Sequence, residues 1–190
     1  MLRLRGRAEP GGEVLCRFRG GDEVAATQPF SYSGQGFSLA GGKGRFVLPP
    51  QFRKTVRESS AAKVFCLAKH ERWNCLTGFG LSRRDDFAAQ LDREEAQALQ
   101  RAADFDRDLR AMQLYGFSEV PLDDSGRFVI PDHLVELANV TEGLFFQGAG
   151  PFFTIWNPEE LSTMGAGLEG AQAACGKLAA EAEIAKGKRA

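Results

Sequence analysis

Cysteine, histidine and long apolar runs are scarce in this sequence. Its 190 residues include four cysteines and two histidines. The cysteines are Cys16, Cys66, Cys75 and Cys175. Their wide and irregular spacing is typical of reduced thiols and argues against the disulfide framework of a small secreted domain. We therefore expect the fold to rest on an apolar core, which a chain of this length can bury.

No stretch of the chain has the composition of a membrane-spanning segment, because its apolar runs fall short of the roughly 18 residues that such a helix requires. The first residues, MLRLRGRAEPGG, are basic, but no apolar segment of signal-peptide length follows them. Charged residues make up 26% and the hydrophobic set 43%, which is ordinary for a soluble globular protein. We expect a cytoplasmic protein with no membrane partner, built as one domain or two small ones.

Positive and negative charges are separated along the chain, although the net charge is only −1. Residues 40–84 contain ten lysines and arginines against two acids, whereas residues 116–160 contain one arginine against eight acids. A split of this kind indicates a polyanionic partner for one half and a different role for the other. The alternative is that two solvated faces merely balance each other.

A six-residue motif occurs twice, 82 positions apart. Residues 44–49 read GRFVLP and residues 126–131 read GRFVIP, so only Leu48 and Ile130 differ. A glycine-containing turn precedes each copy, and the proline that ends each copy favours the start of a helix. A short match of this kind can arise by chance, but together with a matching order of elements it indicates an internal duplication.

The same order of elements surrounds both motifs. Strands are predicted at GFSLA, RFVL, KVFCLA and WNCLTGF in the first copy, and at FSEVPL, RFVI, GLFFQGA and FFTIW in the second. Short helices are predicted at PQFRKTVRE and PDHLVELA, and Ser82 and Asn157 are predicted helix caps. The duplicated unit is therefore a β-turn-β-α-β-β element of about 45–50 residues. We expect the aromatic side chains of its strands to pack in the core and not to stack on nucleic-acid bases.

The segment between the copies has a helix-forming composition, with no glycine or proline from Ser82 to Tyr115. Its apolar residues approximate a helical stripe with a break near Asp104. The stripe consists of Phe87, Leu91, Ala98, Leu99, Ala102, Phe105, Leu109 and Met112. It can cover the strands or form a contact between subunits, and packing on the strands is the favoured role.

These patterns divide the chain into five segments. They are a flexible extension at 1–29, the first repeat at 30–84, a linking helical segment at 85–114, the second repeat at 115–164 and a helical or disordered tail at 165–190. The extension is either a basic arm or the product of a mis-assigned start, with Val24 as an alternative start position.

No group of residues predicts metal binding or catalysis. Cys66, His70 and Cys75 offer only three ligands, and both cysteines fall in predicted strands, where cysteine packs as a small apolar side chain. A cysteine–histidine nucleophile would lack a third, orienting group. The glycine turns are not followed by the Lys-Ser/Thr pair of a phosphate-binding loop. We therefore expect no metal, no cofactor, no small-molecule substrate and no enzymatic activity.

The doubled motif, the intervening helix and the closing sequence FFTIWNPEEL together resemble the MraZ family of bacterial transcriptional regulators. The resemblance covers about residues 30–164 and is strongest in the two repeats. It implies an α+β, mostly β fold of the AbrB-like swapped-hairpin type, in which each copy supplies half of a small β-barrel. It also implies sequence-specific binding of double-stranded DNA by a ring-like homo-oligomer associated with the nucleoid.

The family's Asp-x-x-x-Arg motif is complete in only one copy. The second copy has it as Asp123 and Arg127, whereas Gly41 stands four residues before Arg45 in the first. An aspartate in the same turn can pair bidentately with the arginine and occupy its guanidinium. We therefore expect Asp123 and Arg127 to form a mainly structural turn pair, while Arg45 faces phosphates or guanine edges with Lys43 beside it.

Further basic residues are expected at the same interface. Arg53, Lys54 and Arg57 lie on the short helix behind the first motif and add positive potential, and Arg127 is also a DNA-binding candidate. The alternative is that Arg45 and Arg127 both brace their turns from inside.

The resemblance further implies the biological target. It points to the division and cell-wall gene cluster, including the regulator's own gene, and to short tandem repeats in promoter DNA. The alternative function is an AbrB-like protein-interaction module, antitoxin-like or a scaffold, with weak or no DNA binding. The acidic second half of the chain favours that alternative.

Overall fold

The computed structural model describes residues 30–188, so the predicted extension and Val24 lie outside the described residues. The strands are β1 (Gln35–Leu39), β2 (Arg45–Val47), β3 (Val64–Lys69), β4 (Leu76–Phe79), β5 (Ser118–Pro121), β6 (Arg127–Val129), β7 (Gly143–Gly148) and β8 (Phe153–Trp156). The α-helices are α1 (Pro50–Ser60), α2 (Phe87–Gln100), α3 (Arg107–Tyr115), α4 (Asp132–Leu137), α5 (Pro158–Ser162) and α6 (Glu169–Gly187).

The strands form two antiparallel sheets. Six strands make the larger sheet, in the order β1-β7-β8-β4-β3-β5, and β2 pairs with β6 in a two-stranded ribbon. The α+β class predicted from the sequence is confirmed. Within residues 30–188 the two sheets do not close into a barrel. The swapped-hairpin arrangement therefore stays a prediction.

The strand pairing follows the internal repeat. Strands β1 to β4 lie in the first copy and correspond in order to β5 to β8 in the second. Strand β1 pairs with β7 just as β5 pairs with β3, whereas β2–β6 and β4–β8 each join two equivalent strands. Exchanging the copies leaves the sheet order unchanged, so the duplication seen in the sequence is also a symmetry of the topology.

The larger sheet buries side chains on both faces because successive residues of a strand point to opposite sides. One face packs against the ribbon, α1 and α4, and its aromatic residues are Phe65, Phe146 and Phe153, joined by Phe46 and Phe128 from the ribbon. On the other face, Cys66 packs with residues of α2 and α3, and Trp156 packs with residues of α5 and α6. The expectation that strand aromatics form the core is confirmed for these residues.

One of the two predicted helix caps is confirmed. Asn157 caps α5, because its Oδ1 accepts a hydrogen bond from the Glu159 amide at 3.0 Å. The prediction for Ser82 is wrong. The chain already enters a 3₁₀ turn at Leu81, whose amide donates to the Ser60 hydroxyl at 3.0 Å, and Ser82 lies inside that turn.

The helical stripe between the copies is only half buried. Helices α2 and α3 are separated by a break at 101–106, as predicted, and Asp106 caps α3 by accepting from the Leu109 amide at 2.9 Å. The stripe's first half packs on the sheet through Phe87 and Leu91, which are buried. Farther along the stripe, Phe105 still packs against the same core cluster, but Leu99 and Met112 face solvent and are 75% and 66% exposed.

Helix α6 forms most of the segment that the sequence predicts as a helical or disordered tail. It packs beside β1, one of the two edge strands of the larger sheet, and buries Cys175 in the core cluster that includes Leu161 of α5. Among residues 30–188, no helix is both long enough and apolar enough to span a bilayer.

Candidate nucleic-acid interface

The ribbon of β2 and β6 carries its two arginines on one exposed face. Its register pairs Phe46 with Phe128, Arg45 with Val129 and Val47 with Arg127. The two phenylalanines enter the core, so both arginines and both valines point to solvent. The arginines occupy diagonal positions of the ribbon, a placement in which side chains start roughly 7–8 Å apart. The structure therefore brings together two side chains that lie 82 positions apart in the sequence.

The turn before β2 is closed by the same backbone hydrogen bond as its counterpart although it lacks the carboxylate. The Gly41 amide donates to the Arg45 carbonyl at 2.8 Å, just as the Asp123 amide donates to the Arg127 carbonyl at 3.0 Å. Lys43 has a φ of 65°, in the left-handed region that side chains other than glycine rarely adopt. Lys43 and Arg45 are exposed, and neither side chain bonds to another residue in the part of the chain that the structure describes.

The turn before β6 is held together by one carboxylate. The Oδ1 atom of Asp123 accepts from the backbone amides of Ser125 and Arg127, both at 2.8 Å, and its Oδ2 atom accepts from Arg127 Nε at 2.7 Å. Gly126 follows with a φ of 78°, which favours glycine. Among residues 30–188 the Arg127 side chain is bound through Nε alone, so its two terminal NH₂ groups keep their donors for another acceptor.

Helix α1 of the first copy contacts the turn of the second. Arg53 donates to the Ser125 carbonyl, and Arg57 donates to the Asp124 carbonyl at 3.1 Å. This placement differs from the sequence interpretation, which put both arginines behind the first turn. The reason is the pairing of β2 with β6, because the hydrogen bond from the Leu48 amide to the Gly126 carbonyl at 2.9 Å brings the second turn over α1.

The ends of the ribbon therefore have similar charge despite their different sequences. At the second turn, Arg53, Arg57, Arg127 and Lys63 lie around the carboxylates of Asp123 and Asp124, and Lys63 forms an ion pair with Asp124. Four cations against two acids leave a positive balance there. The first turn is also positive, since it carries Lys43 and Arg45 with no acid between residues 41 and 45. A polyanion could approach the ribbon from either end.

Sequence reasoning missed three residues of this surface. Val47 and Val129 are 41% and 52% exposed beside the arginines, and Lys63 reaches the second turn from the start of β3. The valines could have been found from the alternation of the GRFV motif, but Lys63 had no local signal. Lys54, which the sequence assigns to the same interface, is exposed on α1 and makes no side-chain hydrogen bond to the residues that the structure describes.

Cys66, His70 and Cys75, the residues considered above as metal ligands, lie in surroundings typical of packed side chains. Cys66 lies within β3 and Cys75 immediately before β4, and burial raises the pKa of both thiols to about 12. His70 accepts from the backbone amides of Arg72 and Trp73 through Nδ1, and burial lowers its pKa. Residues 30–188 contain no cluster of three or more side chains arranged to hold a metal ion.

The Asp123 carboxylate should titrate at an unusually low pH. Hydrogen bonds from Arg127, through its backbone amide and its side chain, lower the pKa of Asp123 below the ordinary value of 3.8. Because the folded-state pKa is depressed, the carboxylate's contribution to stability is complete above the ordinary pKa and is lost as the pH falls through the folded-state pKa. An NMR titration of the Asp123 carboxyl carbon should give a midpoint below 3.8.

The variant Arg127→Met is the matched control for this titration. It removes the Nε donor but keeps the backbone amide of residue 127, so the midpoint should rise only part of the way to that of an unstructured aspartate. An ordinary midpoint in the unmodified chain would show that the turn is open in solution.

Several proteins with one common name are similar to this sequence over about two thirds of its length. No family model matches the chain. A Transcriptional regulator MraZ from Parvibaculum lavamentivorans is 31% identical over 129 residues, which covers 67% of this chain and 76% of the relative. The protein of the same name from Rhodospirillum rubrum is 30% identical over 124 residues, covering 63% and 74%. That of Caulobacter vibrioides is 29% identical over 117 residues, covering 62% and 70%. The chain belongs to the MraZ family of transcriptional regulators.

Proposed function

We propose that this protein regulates transcription by binding specific double-stranded DNA through the exposed face of its β2–β6 ribbon. The observation that carries the proposal is the diagonal placement of Arg45 and Arg127 on that face, with their guanidinium groups exposed and positive charge at both ends. A two-stranded ribbon fits the major groove of B-DNA, and arginine is the side chain that most often reads guanine there.

The four side chains of the ribbon face have different tasks in this proposal. Arg45 has no carboxylate partner in its turn and therefore contacts phosphates or guanine edges directly. Lys43, on the same turn, contacts the adjacent phosphates of the DNA backbone. Arg127 is oriented by Asp123 and presents only its terminal NH₂ groups. The valines are small enough to let the ribbon approach the groove floor, where they can contact thymine methyl groups.

Binding by several subunits supplies the affinity that one ribbon lacks. We propose a ring-like homo-oligomer that engages short tandem repeats, because linked binding events multiply. The exposed apolar side chains Leu99, Leu109 and Met112 on α2 and α3 support association between subunits. Resemblance to the family suggests that the repeats lie in promoter DNA of the division and cell-wall gene cluster, including the regulator's own gene.

A footprint on the DNA upstream of the protein's own gene tests this proposal. We expect protection of evenly spaced short repeats, and gel shifts that weaken by orders of magnitude between 50 and 200 mM salt, because several phosphate contacts release counterions. A scrambled duplex of the same length and composition is the control. Equal binding to both duplexes would contradict sequence specificity.

The same experiment addresses the alternative function. A flat DNA titration by a protein that still forms its oligomer, measured by native mass spectrometry, would favour a protein-interaction module. The acidic second half of the chain, with eight acids against one arginine in residues 116–160, is the observation behind that alternative.

A further inference from the structure

A small cavity lies between the larger sheet and the helix pair α2–α3, away from the ribbon. Its volume is 190 Å³, below the roughly 300–1,000 Å³ of sites that take drug-sized ligands. Aromatic rings and polar side chains share its wall. The lining residues used below are Lys69, Glu71, Phe79, Arg83, Arg110 and Phe152. A cavity of this size with a mixed lining suits a ligand of few atoms.

Arg83 is the unusual member of this lining. Its Nη1 atom is buried and has no hydrogen-bond partner among residues 30–188, and none of the ion pairs in this part of the chain includes it. The guanidinium instead lies over the rings of Phe152, Phe79 and Phe87, at 4.8, 5.3 and 5.9 Å from their centroids. Stacking of this kind stabilises the cation, but it leaves the in-plane N–H donors without acceptors.

The neighbouring charges do not complete this arrangement. Arg110 is already paired, since it binds Glu94 through two nitrogens and Glu71 through a third. Glu71, the carboxylate in the cavity wall, is thereby engaged with Arg110, and Lys69 donates to the Trp73 carbonyl at 2.6 Å. Three cations and one carboxylate line the cavity, and the half-buried Arg83 is the one of these cations whose side chain makes no hydrogen bond among residues 30–188.

We propose that this cavity binds a small monocarboxylate, with its carboxylate on Arg83 and its apolar body against the phenylalanine rings. Arg83 is only half-buried, and its Nε and Nη2 atoms, unlike the buried Nη1, are accessible and make no hydrogen bond among residues 30–188. An anion in the cavity can therefore bind these donors without displacing a protein partner. The planar fork of a guanidinium matches the two oxygens of a carboxylate. A phosphate would need more donors than one free guanidinium offers and has no apolar part for the rings. Such a ligand would tie α2 and α3 to the sheet.

Benzoate and butyrate titrations of the full chain test the proposal. The side-chain Nε–Hε resonance of Arg83 should shift and saturate with either carboxylate, and the melting temperature should rise over the same range, since a ligand that binds the folded state stabilises it. Sodium chloride at matched ionic strength provides the baseline. Inorganic phosphate forms a separate arm and should give no saturable shift.

Arg83→Met and Arg84→Met form the matched pair of variants. Arg84 is the adjacent, exposed arginine and pairs with Glu119 at 3.6 Å, so its loss should leave carboxylate affinity unchanged. Loss of the Arg83 fork should weaken affinity about tenfold or more. No saturable shift in the unmodified chain, equal affinity in Arg83→Met, or a response to phosphate alone would each overturn the proposal. The resonance measurement needs no variant, so it decides the question even if Arg83→Met fails to fold.

Discussion

Replacing Phe153 with alanine is expected to lower the free energy of unfolding by about 3–5 kcal/mol. The Phe153 ring is fully buried, and four other rings lie around it. Its centroid is 5.1 Å from those of Tyr32 and Phe52, 6.2 Å from that of Phe65 and 6.4 Å from that of Phe146. The first three belong to the first copy and Phe146 to the second, so the ring joins the two repeats. Its removal would leave a cavity that a sheet flanked by helices on both faces cannot close.

Gly78 explains why this ring fits where it does. It lies opposite Phe153 in the pairing of β4 with β8, and a Cβ atom at Gly78 would lie 2.4 Å from the ring. The glycine therefore provides the space that the aromatic side chain fills, and a larger residue there would displace the ring from the core.

Urea denaturation followed by circular dichroism measures the expected loss. The control is Leu137→Ala, which also shortens an apolar side chain but at a site on α4 that is 52% exposed, so its effect should stay within about 0.5 kcal/mol. We expect one cooperative transition in both variants, because the repeats share the core around Phe153. A loss below about 1 kcal/mol would mean that the ring is not packed as described.

The local elements of this fold were predictable from short-range patterns. The GRFV motifs gave β2 and β6 because β-branched and aromatic residues favour strands, and Pro50 and Asn157 marked helix starts through their backbone and capping preferences. These signals operate within a few residues. Ser82 shows their limit, since a serine before acidic residues looks like a cap until Ser60, 22 positions earlier, takes the amide at Leu81.

The candidate interface depended on contacts that no local pattern encodes. The sequence indicates two equivalent turns, but it does not say that β2 pairs with β6 and places both arginines on one face. Nor does it say that Arg53 and Arg57 would bond to carbonyls of the other copy's turn. Each contact spans more than 60 positions, and its partner is chosen by the packing of the whole sheet.

The symmetry of the pairing sharpens the contrast between the two turns. An equivalent backbone hydrogen bond closes both turns, but the first turn also holds Lys43 in the left-handed region, whereas Ser125 at the equivalent position has no positive φ. The freedom of the arginine differs as well, since Arg127 is fixed by a neighbouring carboxylate and Arg45 is not. Because the two turns carry similar positive charge, electrostatic attraction of a polyanion does not distinguish one turn from the other. Any division of roles must come from how each guanidinium is held.

Arg45→Ala is expected to reduce affinity for the promoter repeats by about 5- to 150-fold per site, which corresponds to the loss of one bidentate base contact of about 1–3 kcal/mol. In a ring that engages several repeats, these losses multiply. If the contact is to a base, specificity falls and the salt dependence stays the same. If it is to phosphate, binding weakens on all sequences and the slope of log K against log salt becomes shallower by about one per contact. Gel shifts at several salt concentrations on the repeat and on a scrambled duplex distinguish these results.

Arg127→Ala should have a smaller effect on DNA binding, because the Arg127 side chain is held by Asp123 in the free protein. Its main consequence should be a less ordered turn. The backbone amides of residues 125 and 127, which donate hydrogen bonds to the Asp123 carboxylate, should then exchange their hydrogens faster. Arg101→Ala, an exposed arginine at the end of α2 and outside the ribbon, controls for the loss of one positive charge. Equal loss of DNA binding in the Arg45 and Arg127 variants, with the Arg127 variant still folded, would show that both arginines read the DNA. In that case the turn carboxylate orients a reading arginine and does not withdraw it from the interface.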